Sequence, residues 1–270
     1  MLRSTAIRRP ASARALAGAF LVSHLVGIAA AQTPGQPPAT REAWDARVSA
    51  AVMRRIARVQ AAEPGDGRIE QASGFVIDRY NRLVLTSCRI LFAERDTLTF
   101  EVEFAETPSV KRAADLLLCN RGVDLAVVRV RGFDLEFPRS VDPYPPSQRL
   151  WPGDPLYVLG FAAGTPTAIP VIADVTDIEL PGVPGRFIGT RAKLPASDAE
   201  GARPFPAELA GGPLVTAQGN LVGVNAFSSG ERIRYAPSGV ELTTVPKGAY
   251  FARTVDTIAP VARQALGMRP

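Results

Sequence analysis

Histidine is nearly missing from this chain of 270 residues: there is one, His24. Cysteine occurs twice, as Cys88 and Cys119, and lysine three times, as Lys111, Lys193 and Lys247. Two cysteines with no histidine beside them do not make a zinc site, so neither a metal nor another cofactor is expected. Acidic residues are missing from the first 31 positions, which hold Arg3, Arg8, Arg9 and Arg14. The apolar run Ala15–Ala30 follows, and it falls short of the roughly 20 residues that a membrane-spanning helix needs.

A basic start, an apolar middle and the small residues Ala29-Ala30-Ala31 together read as a secretory signal peptide over residues 1–31. Pro10-Ala11 after Arg8-Arg9 is a poor match to a twin-arginine signal, so a Sec-type signal is expected. Residues 32–41, with Pro34, Pro37 and Pro38, read as a stiff linker. The mature protein is expected to be periplasmic or secreted, with no membrane span once the signal is cleaved. From Gln32 onward the sequence contains no histidine, which excludes acid–base catalysis by imidazole. The net charge of +5 also belongs largely to the signal. Without its four arginines the chain carries 27 basic against 26 acidic residues, so nothing draws it to nucleic acid.

What is present is a hydrophobic share of 46%, enough for a core, with 23 glycines and 24 prolines spread along the chain. That mixture suits many short strands joined by turns. Arg41 to Ala62 reads two ways: Val52, Ile56 and Val59 would share a helix face, yet the stretch can also end as a strand. Gly74–Ile77 and Leu83–Thr86 flank the turn Asp78–Arg82 as a hairpin. Thr97 to Phe104 alternates, with Leu98, Phe100, Val102 and Phe104 facing a core and Thr97, Thr99, Glu101 and Glu103 on the other face. Leu116–Cys119 and Leu125–Val128 make a second hairpin.

Phe137–Pro155 is a proline-rich connector. Strands resume at Leu156–Gly160, Ile169–Val175 and Arg186–Leu194. Pro213–Thr216 and Leu221–Ala226 form another hairpin, and Val255–Leu266 reads as a helix. Two sets of about six strands predict an all-β chain of two six-stranded barrels with a C-terminal helix. The expected boundaries are 42–135 for an N-terminal segment and first barrel, 136–155 for the connector, 156–253 for the second barrel and 254–267 for the helix.

Four stretches, in order, carry a resemblance. Ala72-Ser73-Gly74-Phe75-Val76-Ile77-Asp78 with Leu85-Thr86-Ser87-Cys88-Arg89-Ile90-Leu91 is the first. Gly122-Val123-Asp124-Leu125-Ala126-Val127-Val128 is the second, and Ala210-Gly211-Gly212-Pro213-Leu214-Val215 with Gly219-Asn220-Leu221-Val222-Gly223-Val224-Asn225 is the third. Tyr250 to Val255, before the terminal helix, is the fourth. Together they resemble the trypsin-like serine proteases of the bacterial Deg/HtrA type, over roughly Val52 to Leu266. The resemblance implies two β-barrels with a cleft between them.

A serine protease needs a nucleophilic hydroxyl, an imidazole base, an orienting carboxylate and backbone donors for the oxyanion. By the resemblance, the carboxylate position holds Asp124. The imidazole position holds Arg89, whose guanidinium stays protonated and cannot serve as a base. The nucleophile position holds Ala210, which has no hydroxyl. The Gly-Asn that normally precedes the nucleophile is replaced by Glu208-Leu209, so the oxyanion turn departs from the pattern too. The chain is therefore expected to be an inactive member of a serine endopeptidase family, with no catalytic residues. Arg89 and Asp124 are expected to form an ion pair at the cleft floor. Cys88 adjoins the former imidazole position and Cys119 precedes Asp124, so the pair reads either as a disulfide or as two buried thiols.

The leading functional expectation is a pseudoprotease that binds a protein or extended peptide in the former substrate cleft, along Ala226-Phe227-Ser228. A second is an endopeptidase with unusual machinery, drawing on Ser197, Ser228 or Ser229 with a lysine as base. A third is an envelope structural or assembly component that uses the proline-rich connectors and N-terminal segment as contact surfaces.

Overall fold

The computed structural model describes residues 52–65, 67–91, 97–132, 138–141, 150–179, 186–192, 206–228, 233–235, 240–242 and 249–267. The expected signal peptide and linker, and Ser197, Ser229, Lys193 and Lys247, lie outside the described residues.

Runs such as Leu83-Val84-Leu85 and Leu125-Ala126-Val127-Val128 are apolar on both faces because both faces of these strands are covered. Val84, Ala126 and Val128 point into the first barrel with Val59, Val102 and Phe104. Leu83, Leu85, Leu125 and Val127 point the other way, into a layer shared with Tyr157, Leu159 and Phe161. Leu156 and Val158, the alternate residues of that last strand, fill the second barrel with Val171, Ile188 and Leu214. The period of two thus sorts one strand's residues between a barrel interior and the seam between barrels.

The first barrel contains β1 (Ile56–Ala62), β2 (Ile69–Asp78), β3 (Leu83–Thr86), β4 (Thr99–Phe104), β5 (Lys111–Asn120) and β6 (Leu125–Val130). It closes in the order β1-β2-β3-β6-β5-β4. The second contains β7 (Pro155–Ala162), β8 (Thr165–Glu179), β9 (Arg186–Ala192), β10 (Pro213–Thr216), β11 (Leu221–Ser228) and, after a separate two-stranded sheet, β14 (Ala249–Thr254). Its order is β10-β11-β14-β9-β8-β7. The separate sheet pairs β12 (Ile233–Tyr235) with β13 (Val240–Leu242). Helix α1 (Ile258–Ala265) follows a 3-10 turn at Val255–Thr257 and presses Ile258 and Val261 into the seam between the barrels. The fold is therefore all-β, with two closed six-stranded barrels and one short C-terminal helix.

One open reading is settled in favour of the strand, and one reading changes. Val52, Ile56 and Val59 do not share a helix face: Ile56 and Val59 stand on β1, whose closure against β2 and β4 outweighs local helical preference. Glu103, placed by alternation on the outer face of its strand, is buried at 6% exposure. Its β1 partner in register is Arg58, whose guanidinium bonds its carboxylate, and the Ser109 N–H donates to it at 3.0 Å. A buried carboxylate is tolerable with those partners.

Candidate functional site

The site starts where β3 ends. Ser87 caps a 3-10 turn over Cys88–Ile90, its Oγ accepting the Arg89 N–H at 3.1 Å. The same hydroxyl donates to Asp124 Oδ1 at 2.9 Å. Asp124 sits at the end of the β5–β6 turn with φ 51°, where Asn120 Oδ1 receives the Gly122 N–H. Cys88 is bridged to Cys119 on β5, with their Cα atoms 5.5 Å apart. The bridge ties the turn that carries Arg89 to the strand that leads to Asp124.

Arg89 completes this corner. Its Nε donates to Asp124 Oδ2 at 3.2 Å. Its Nη2 donates to the carbonyl of Ala226 at 2.5 Å. One guanidinium thus links the first barrel's carboxylate to β11 of the second barrel. The Asp124 side chain is 12% exposed and that of Arg89 is 30%. Burial raises the Asp124 carboxyl above the ordinary aspartate range, and Arg89, the Ser87 hydroxyl and the charge of Arg253 work against that rise. Arg253 is itself fully buried, with its guanidinium 4.6 Å from the centre of the Phe187 ring.

Facing Arg89 is the segment before β10. Ala207–Leu209 forms a 3-10 turn, and the Ala210 N–H donates to the Ala207 carbonyl at 3.0 Å. Gly211 has φ +83°, and a Cβ there would lie 2.4 Å from the Ser87 nitrogen, so only glycine lets this segment reach the first barrel. The Ser73 N–H donates to the Ala210 carbonyl at 3.0 Å. The Ser73 hydroxyl donates to the Glu208 carbonyl at 2.7 Å and accepts the Phe161 N–H at 2.8 Å. The Glu208 carboxylate accepts from Gln71 Nε2 at 3.1 Å and from the Ala163 N–H at 3.0 Å. It spans β2 of the first barrel and the β7–β8 turn of the second.

Arg89 and Ala210 border one groove of about 510 Å³, together with Ile69, Gln71, Ala72 and Glu208. The expected contact of Arg89 with Asp124 is present. Leu209 is not at the groove surface; it is fully buried in the second barrel's core. Phe227 and Ser228 are placed by backbone, opposite Phe251 and Tyr250 of β14, and their side chains lie outside the described residues. Lys111 stands on β5 with its ammonium 3.0 Å from Glu101. Ser73 and Gln71 were missed as site residues. Ser73 lies within a quoted motif, but its partners are 135 and 88 residues away in sequence.

The sequence of residues 72–224, more than half of the chain, matches the trypsin-like peptidase domain family. The chain belongs to that family. The trypsin-like fold is also that of the Rv3671c protease from M. tuberculosis, solved in its active form. The two agree with a TM-score of 0.61 at 18% identity, over 88% of this chain and 95% of that one. At that identity the likeness carries the fold alone. No curated protein matches the chain. Within the trypsin-like architecture, the corner of Ser87, Arg89 and Asp124 lies on the first barrel and the Ala207–Gly212 segment on the second, with the groove between them.

Proposed function

We propose that this trypsin-like chain is an exported pseudoprotease that binds a protein or extended peptide in the cleft between its barrels and does not cleave it. The observation that carries this reading is the bond from Arg89 Nε to Asp124 Oδ2. A guanidinium has donors only, so a group that orients a base in an active relative here holds a permanent cation. Two further features support it. Ala210 offers a methyl group where the motif has a hydroxyl. Its N–H, which would serve an oxyanion, is committed to the Ala207 carbonyl.

Binding along β11 is supported by what pairs with it. Among the described residues, β10 covers one side of β11 only as far as Val224, while β14 continues on the other side to Ser228. That leaves a stretch where an extended segment can add as a strand. Export is supported by the N-terminal pattern and by the Cys88–Cys119 bridge, which suits an oxidising compartment.

The purified protein is expected to leave labelled casein intact and to take up no serine-reactive fluorophosphonate. Labelling of the wild-type chain would overturn the inactive reading. Immobilised on a sensor, the same protein should retain members of a displayed library of random dodecapeptides. Mass spectrometry of protein recovered from the host envelope should find Gln32 as the first residue.

A further inference from the structure

The Arg89 side chain does more than neutralise Asp124. Ala226, whose carbonyl it holds, is the extra residue of a bulge: Asn225 lies opposite Ala252 and Phe227 opposite Phe251, leaving Ala226 without a partner on β14. On the β10 side, pairing stops at Val224, and Asn225 gives its N–H to the Gly212 carbonyl. The Asn225 carbonyl in turn takes the Gly211 N–H at 2.7 Å, so the Ala226 carbonyl is the next main-chain acceptor along β11. A strand docking in the cleft would ordinarily donate an N–H to it. That acceptor already receives a charge-assisted bond at 2.5 Å, from a guanidinium that lines the same groove as Ala210.

A carbonyl has a second lone pair, but the guanidinium that holds this one also lines the groove in which the peptide would lie. An incoming strand has two ways to proceed. It can displace Arg89, which strips a buried carboxylate of its cation and is strongly unfavourable. Or it can present a residue that has no N–H at that register. Proline is such a residue, and it also favours the extended backbone that a docking strand needs.

We propose that the cleft selects extended peptides carrying proline, or another residue without a backbone N–H, opposite Ala226, and that Arg89 is the residue that sets this preference. The proposal rests on the cleft-binding reading above. Its logic is an unpaired donor: a buried N–H without an acceptor weakens binding by about tenfold.

The test is selection of displayed random dodecapeptides on the full chain, followed by resynthesis of the best binder with alanine and with N-methylalanine at its fixed position. Wild-type binders are expected to share proline at one position. Alanine there should weaken binding about tenfold, and N-methylalanine, which lacks the N–H but not the open chain, should restore it. The variant Asp124→Asn, which keeps Arg89, should retain the preference. The double variant Arg89→Ala/Asp124→Asn removes the cation without stranding a carboxylate and should lose it, binding the alanine peptide as well as the proline one. Binders with no fixed proline, or N-methylalanine binding as poorly as alanine, would overturn the proposal and leave cleft binding standing. An absence of binders would overturn both. The comparison of the three peptides on wild-type protein decides the matter even if the double variant does not fold.

Discussion

Ser73 donates its hydroxyl to the carbonyl of Glu208 at 2.7 Å, and so ties the first barrel to the turn that carries Ala210. The hydroxyl also accepts the Phe161 N–H, and Ser73 is fully buried. Replacing it by alanine strands an acceptor on one barrel-bridging turn and a donor on β7. Each stranded group costs its desolvation, so Ser73→Ala is expected to lower stability by about 2–3 kcal/mol. Urea unfolding should show a lower midpoint at unchanged slope. A loss within 0.5 kcal/mol would mean that water replaces the hydroxyl at no cost.

Glu103 makes a different prediction, about acid. Burial alone would raise its carboxyl, but the Ser109 N–H, the Arg58 guanidinium and the charge of Lys111 outweigh burial and hold it below its ordinary value of 4.5. A carboxyl depressed in the folded state adds stability above the unfolded value and loses it as pH falls through the folded one. Glu103→Gln should therefore be less stable than wild type at neutral pH. The gap should close as pH drops below about 4.5. Urea midpoints of both proteins across the acid range check this, and a gap independent of pH would assign the loss to packing.

How far these contacts could be read from the sequence depends on the kind of information each needs. Alternation at Thr99–Phe104 reports which side chains share a face, and Phe100, Val102 and Phe104 are buried as it requires. It does not report what stands on the neighbouring strand. Glu103 goes in because Arg58 lies across from it, which appears only when β1 and β4 pair. Ile56 and Val59 fit a helical stripe and a strand equally well in isolation, and barrel closure decides between them. Arg89 and Asp124 could be placed together because motif order carries three-dimensional information that composition does not. The reach of Arg89 on to Ala226 had no such signal, since it depends on a bulge in β11.

The Arg89–Asp124 pair can be separated into parts. Removing the cation leaves a buried carboxylate uncompensated, so Arg89→Met is expected to cost about 3 kcal/mol or more at neutral pH. Arg89→Met/Asp124→Asn should recover most of that loss, because the carboxylate that needed Arg89 is gone as well. The pH dependence follows from the raised Asp124 carboxyl. A group raised in the folded state contributes stability that is present at low pH and lost as pH rises through the folded value. Without Arg89 that value climbs further. The deficit of Arg89→Met should therefore shrink in acid, where the carboxyl is neutral. A deficit equal at all pH values, or a double variant as weak as the single one, would show that Arg89 acts here through packing alone.

Restoring the missing groups tests whether the proposed inactivity of the cleft comes from want of two side chains or from want of a backbone shape. Arg89→His with Ala210→Ser supplies an imidazole beside Asp124 and a hydroxyl opposite it. Yet the N–H of residue 210 would still be donated to the Ala207 carbonyl within the 3-10 turn. A donor aimed at its own turn does not face a developing oxyanion, and losing one such donor costs roughly 100- to 1,000-fold in rate. The double variant is therefore expected to react with fluorophosphonate slowly, if detectably. Adding Glu208→Gly and Leu209→Asn removes the carboxylate that holds the turn to Gln71 and Ala163, and gives the backbone the freedom of glycine. Labelling by the fourfold variant should exceed that of the double variant by at least about tenfold. Equal labelling would mean that the turn rearranges by itself once serine and histidine are present. The proposed inactivity of the natural chain would then reside in Arg89 and Ala210 alone.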